Sequence, residues 1–195
     1  MTEIYFNLDL TLTEMSKTFD QCFEEALEDL KVKKEKIDAK KYSEIFFEIF
    51  EQMEPNPRKK AFRKYFEEKN IDSEPEKASE IYKEKELEAV KPVAGLIENL
   101  RGLSEDYNLG IVTAGTTELQ KKKLEMLGIT EILDEILITY EEGKSKKNIL
   151  EGLEEGSIYF SNSESDIEKA EDAGVKSINS DFTGAKEIRS EVRKL

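Results

Sequence analysis

A chain of 195 residues is enough for one domain of ordinary size, or for a core with a smaller insertion. Its formal charge of −14 argues against nucleic acid or an anionic membrane as partner, since both are drawn to clustered Lys and Arg. A lone cysteine, Cys22, excludes an internal disulfide and points to a reducing, intracellular setting. No stretch is long and apolar enough to span a bilayer, and a strand at the very start leaves no room for a signal peptide, so a cytoplasmic protein is expected.

In chain order, Ile4-Tyr5-Phe6 is a short β-prone run that breaks at Asn7-Leu8-Asp9 into a Thr-rich loop. Residues 16 to about 91 then read as almost pure helix. Phe19, Cys22, Phe23, Ala26, Leu27 and Leu30 form one apolar stripe, and Cys22 on it is expected to pack and not to react. Asp38 can cap a second helix carrying Tyr42, Ile45, Phe46, Ile49, Phe50 and Met53. Pro55 and Pro57 punctuate, a third helix carries Ala61, Phe62, Tyr65 and Phe66, and Ser73 with Pro75 opens a fourth that runs to about Val90. At this spacing the aromatic residues read as the core of a bundle.

From Pro92 the pattern becomes alternating helix and strand. A helix through Leu96 and Leu103 precedes a strand at Leu109–Val112, and a Thr-capped helix ends at Gly128. Then come a strand at Glu135–Thr139, a helix from Ser145 to about Glu154, a strand at Ser157–Phe160 and a helix at Ser165–Ala173. A strand at Val175–Ile178 and a last helix from Thr183 close the chain. Such alternation predicts an α/β fold, a doubly wound parallel sheet, because parallel neighbours need crossovers. With the opening strand in that sheet, residues 1–15 and 92–195 form a Rossmann-like core and residues 16–91 an inserted all-helical cap.

Four stretches at strand ends resemble the motifs of the haloacid dehalogenase-like (HAD) phosphohydrolases. Asn7-Leu8-Asp9-Leu10-Thr11-Leu12-Thr13 has the frame of the first, with Asn7 where the pattern has the nucleophilic Asp and Leu10 where it has Gly. Leu109-Gly110-Ile111-Val112-Thr113-Ala114-Gly115 fits the second. By resemblance the Thr113 hydroxyl and the backbone N–H groups near Leu8, Asp9 and Ala114 would hold a phosphate, and a strand feeding a helix N-terminus does offer unpaired donors to an anion. Thr113 as a plain helix cap is the alternative, although Thr116 and Thr117 are better placed for it. The third motif is a Lys ahead of a helix; in Gly143-Lys144-Ser145-Lys146-Lys147 it is assigned to Lys144, with Lys146 in reserve and a solvated lysine cluster as the bland reading. The fourth reads Ser161-Asn162-Ser163-Glu164-Ser165-Asp166, with Asn162 in place of a metal-binding Asp, and Asp166 either a ligand or a helix cap.

The resemblance implies Mg²⁺ as cofactor, held by Asn7, Asp9, Asn162 and Asp166, and Asp9 as the acid–base group. An amide at position 7 removes the attacking carboxylate, and hard cations rely on carboxylates, so metal binding is expected to be weak. Three readings stay open: an impaired phosphatase homologue that still binds a small phosphorylated molecule or a protein partner; an active Mg²⁺-dependent phosphoric-monoester hydrolase (phosphoglycolate-phosphatase-like) or an active-site mutant of one; and an interaction module working through its acidic cap.

Overall fold

A computed structural model describes residues 1–179, 181–182 and 184–194. Its elements run β1 (Glu3–Phe6), β2 (Thr13–Met15), α1 (Phe19–Asp29), α2 (Ala39–Glu51), α3 (Pro57–Glu68), α4 (Pro75–Ala89) and β3 (Val90–Pro92). They continue as α5 (Leu96–Ser104), β4 (Asn108–Thr113), α6 (Thr117–Leu127), β5 (Glu135–Ile138), α7 (Thr139–Glu142), α8 (Lys146–Leu150), β6 (Ile158–Ser161), α9 (Glu164–Asp172), β7 (Lys176–Asn179) and α10 (Ala185–Val192). Thr183, the expected start of the last helix, lies outside the described residues.

Five parallel strands make one sheet in the order β5-β4-β1-β6-β7, so the expected doubly wound α/β architecture is present. The central strand β1 is apolar on both faces, as burial between helical layers requires: Ile4 and Phe6 are fully buried and Tyr5 nearly so. Phe6 is in register with Ile111 of β4 and Phe160 of β6, and Asn7 N–H extends the ladder to Phe160 O at 2.9 Å. The loops that leave β1, β4 and β6 therefore start side by side at the carboxyl edge. Gly110 is needed within β4, because a Cβ there would lie 2.4 Å from the Tyr5 ring.

The chain divides into two units, Met1–Glu14 with Lys91–Leu195, and Met15–Val90. In the second, α1 to α4 pack around Phe23, Tyr42, Phe62, Tyr65 and Tyr82, with Phe23 stacked on Tyr42 at 4.4 Å and Cys22 buried among them. The helix starts follow their sequence signals. Thr18 and Gln21 form a capping box on α1, and Asp38 accepts from Lys41 N at the start of α2. Arg58 enters this core over the Tyr82 ring and pairs with the buried Glu86 at 2.8 Å.

Two details depart from the expected elements. The short strands β2 and β3 pair with each other in a two-stranded sheet that no long apolar run announces. The helix expected to reach Glu154 stops at Leu150, where Gly152 and the left-handed Gly156 break the run.

Burial raises the hydroxyls of Tyr5, Tyr42, Tyr82 and Tyr159 above the ordinary tyrosine value, and pushes Tyr65 up to about 12. A folded-state value above the unfolded one means that this stabilisation is complete below pH ~10 and is lost as pH rises through the folded values. Alkaline titration followed at 295 nm is therefore expected to show most tyrosinate absorbance arriving together with loss of far-UV ellipticity. Tyrosinate from these five residues in a fully folded protein at pH ~11 would contradict the packing described.

Candidate functional site

The loop after β1 turns back on itself through Leu12 N–H to Leu8 O at 3.0 Å and Leu10 N–H to Thr13 Oγ1 at 3.1 Å. Leu10 sits at φ +61°, a left-handed conformation that costs a residue with a Cβ roughly 1 kcal/mol. This is the position at which the first-motif pattern has Gly. Asn7 is buried behind the loop and Leu8 is wholly buried, while Asp9 faces α6.

Asn7 is the hub of the first cluster. Lys146 Nζ donates to Asn7 Oδ1 at 3.0 Å and to Asp166 Oδ2 at 2.7 Å. An ammonium only donates, so the atom of Asn7 facing it is the oxygen, and the amide nitrogen faces the other way. That nitrogen donates to the main-chain oxygen of Asp9 at 2.7 Å and, at 3.4 Å, to Thr11 Oγ1. Thr11 in turn donates to Asn162 Oδ1 at 3.2 Å and accepts from Asn162 N–H at 3.4 Å. Asn7 and Asn162 are thus joined in one hydrogen-bonded network, with Thr11 between them. Asn162 Nδ2 lies 3.4 Å from Asp181 Oδ1, and Lys169 lies 3.5 Å from Asp166 Oδ1. Burial pulls Lys146 below the ordinary lysine value, against the upward pull of Asp166.

The second cluster joins the β1 loop to α6. Lys123, at 1% exposure, pairs with Asp9 Oδ1 at 2.7 Å, and Gln120 Nε2 donates to Asp9 Oδ2 and to Ala114 O, both at 2.9 Å. Gly115 makes this approach feasible, since a Cβ there would lie 2.2 Å from Gln120 Nε2. Thr113 ends β4 fully buried, and among the described residues neither its hydroxyl nor Gln120 Oε1 has a hydrogen-bond partner. Buried polar atoms in native folds are nearly always paired with protein or water, so the Thr113 hydroxyl at the end of β4 and the Gln120 amide oxygen on α6 are open to a further partner. Thr116 holds the N-cap position of α6 without a side-chain cap bond, so the Thr113 hydroxyl is not committed to capping either.

Lys144 does not join these residues. It is exposed and lines a cleft of about 490 Å³ with Glu3, Asn108 and Glu135 at the amino ends of β1, β4 and β5, across the sheet from Asn7. Lys146 takes the inward place instead. The physical reason is the cap: Ser145 accepts from Asn148 N–H as N-cap, so α8 begins at Lys146 and turns that residue into the core. Asp166 is not a helix cap, because Ser163 holds that position on α9.

The donor set does not fit a hard dication. Of the oxygens that would ligate it, Asn7 Oδ1 accepts from Lys146, Asp9 O from the Asn7 amide, and Asn162 Oδ1 from Thr11. The Asp166 carboxylate faces Lys146 and Lys169. Among the described residues, no three acidic, His or Cys side chains gather as a metal site.

Gln120 and Lys123 are the residues that the motifs did not disclose. A signal was available: Lys123 falls on the stripe of α6 with Leu119, Leu124 and Leu127, where a charge must be paired. Its place in the run Lys121-Lys122-Lys123 concealed it.

A family model described as haloacid dehalogenase-like hydrolase matches residues 4–180. Among curated proteins nothing matches. Among solved structures the chain is similar to YfnB of Bacillus subtilis, solved bound to magnesium, with 16% identity, 98% of each chain covered and a TM-score of 0.69. It is also similar to a 2-haloacid dehalogenase from Pseudomonas syringae pv. Tomato DC3000, with 18% identity, 100% of each chain covered and a TM-score of 0.68. A third similar structure is the haloacid dehalogenase-like family protein SP0104 from Streptococcus pneumoniae, with 19% identity, 99% of this chain and 91% of that one covered, and a TM-score of 0.64. At these identities the likeness to solved structures is one of fold.

The two lysines separate cleanly by mutation. Lys146→Met removes the buried partner of Asp166, leaving it the more exposed Lys169, and is expected to cost about 3 kcal/mol in urea denaturation. Lys144→Met, at an exposed position, should stay within about 0.5 kcal/mol of the parent. Equal effects would reverse the assignment.

Proposed function

The chain belongs to the haloacid dehalogenase-like hydrolase family, and from that premise we propose that it is an impaired phosphatase homologue that holds a phosphate-bearing small molecule without cleaving it. The observation that carries this reading is the state of Asn7. Its neutral amide stands at the strand end where the family pattern has the attacking carboxylate, and its oxygen accepts a hydrogen bond from Lys146. An amide oxygen is a poor nucleophile toward phosphorus. Loss of an enzymatic nucleophile typically lowers kcat by about 10⁴ to 10⁶.

Binding has better support than turnover. Among the described residues the buried Thr113 hydroxyl has no hydrogen-bond partner, and it ends the strand whose loop leads into the N-terminal end of α6, where backbone N–H groups point outward. Lys146 adds a positive charge beside Asn7, and the Asp9 and Asp166 carboxylates that would take Mg²⁺ are each paired with a lysine. The parent HAD-like architecture commonly uses that ion; this chain is read as having given it up. A cytoplasmic location agrees with the single buried cysteine, and among the described residues no helix is long and apolar enough to cross a membrane.

The direct test is hydrolysis of an aryl phosphate with and without Mg²⁺, using protein whose intact mass shows both amides unmodified. Metal-dependent turnover surviving purification controls would falsify the reading and favour an active phosphoric-monoester hydrolase. A second measurement restores the acids. Asn7→Asp with Asn162→Asp is expected to tighten Mg²⁺ binding at least tenfold by calorimetry, a difference of about 1.4 kcal/mol or more. No gain would show that these positions are not the ion's seats.

A further inference from the structure

Asp9 and its neighbours on α6 have a use that the loss of hydrolysis leaves unexplained. The Asp9 carboxylate is engaged at both oxygens, by Lys123 at 2.7 Å and by Gln120 at 2.9 Å. Both partners are almost fully buried, at 1% and 2% exposure. The pair lies beside Thr113 and Ala114, through the Gln120 amide that bridges Asp9 and Ala114 O.

A carboxylate next to an oxyanion seat repels the ligand unless a positive charge screens it. In the family pattern, acids at positions 7 and 162 would add two negative charges that a dication balances. Here both are amides, and the remaining acids face lysines: Asp9 faces Lys123, and Asp166 faces Lys146 and the more exposed Lys169. With the nearby Asp181 included, the formal charges of these described residues cancel without any metal. A dication entering this arrangement would face the Lys146 and Lys123 ammonium groups, with the Asp9 and Asp166 carboxylates already paired.

We infer that Lys123, held in place by Gln120, is a positioning residue that screens Asp9 and so lets this pocket hold an oxyanion without a divalent cation. This rests on the oxyanion-binding reading above. Gln120 fixes the carboxylate rotamer, and Lys123 supplies the charge. Lys146 does the same for Asp166 on the other side of Asn7.

The test uses the full chain and inorganic phosphate as probe, titrated calorimetrically in EDTA and again with Mg²⁺. Wild type is expected to bind equally well in both. Lys123→Met, which leaves Asp9 unscreened, should weaken phosphate binding about tenfold or more, and adding Asp9→Asn to it should recover affinity to within about threefold of wild type. Lys123→Arg should retain affinity, which a purely packing role would not ensure. Urea denaturation of the same set supplies a readout independent of ligand: Asp9→Asn and Lys123→Met are expected to be coupled, with the double variant more stable than the sum of the singles allows. Phosphate binding that requires Mg²⁺, equal affinity in wild type and Lys123→Met, or additive denaturation effects would each overturn the inference. Absence of any phosphate affinity in wild type would overturn it together with the proposed function, whereas binding that ignores Lys123 sinks the inference alone.

Discussion

The parallel pairing of β1 between β4 and β6 is the constraint on which the site depends. Those pairings set Phe6, Ile111 and Phe160 in one row, so the loops that follow Phe6, Thr113 and Ser161 leave the sheet side by side at its carboxyl edge. Parallel strands need crossovers, and the crossovers here are the helices that bring Lys123 on α6, Lys146 on α8 and Asp166 on α9 to the same edge. Sequence separations of more than a hundred residues between Asn7 or Asp9 and their lysines are thereby closed to hydrogen-bond distance.

Within that frame the electrostatics are local and paired. Each buried ammonium meets a carboxylate, as burial demands, and the two amides fill gaps between the pairs by giving and accepting hydrogen bonds at once. Asn7 serves Lys146 with its oxygen and the Asp9 carbonyl with its nitrogen, a division of labour that a carboxylate lacks. Thr11 carries the network across to Asn162.

Much of this was legible in the chain itself. Strand–helix alternation after Pro92 announced the sheet, and apolar runs ending in Asn7, Thr113 and Ser161 announced its carboxyl edge. The helix start at Asp38 was marked by a residue that does cap. What stayed hidden was direction. Lys144, Lys146 and Lys147 are alike in composition, and only the Ser145 cap decides which one turns inward. Similarly, successive helical residues point about 100° apart, so in Lys121-Lys122-Lys123 one lysine can be fully buried while Lys121 pairs with Glu141 at the surface. Pairing partners supplied by a distant loop leave no mark on the helix that carries the charge.

The 2.7 Å bond from the Asn7 amide to the Asp9 carbonyl ties the shape of the loop to the identity of residue 7. A carboxylate at residue 7 would keep the contact with Lys146 but lack the amide donor, setting its second oxygen against the Asp9 carbonyl, so the turn at Asp9 would have to open for that carbonyl to find another donor.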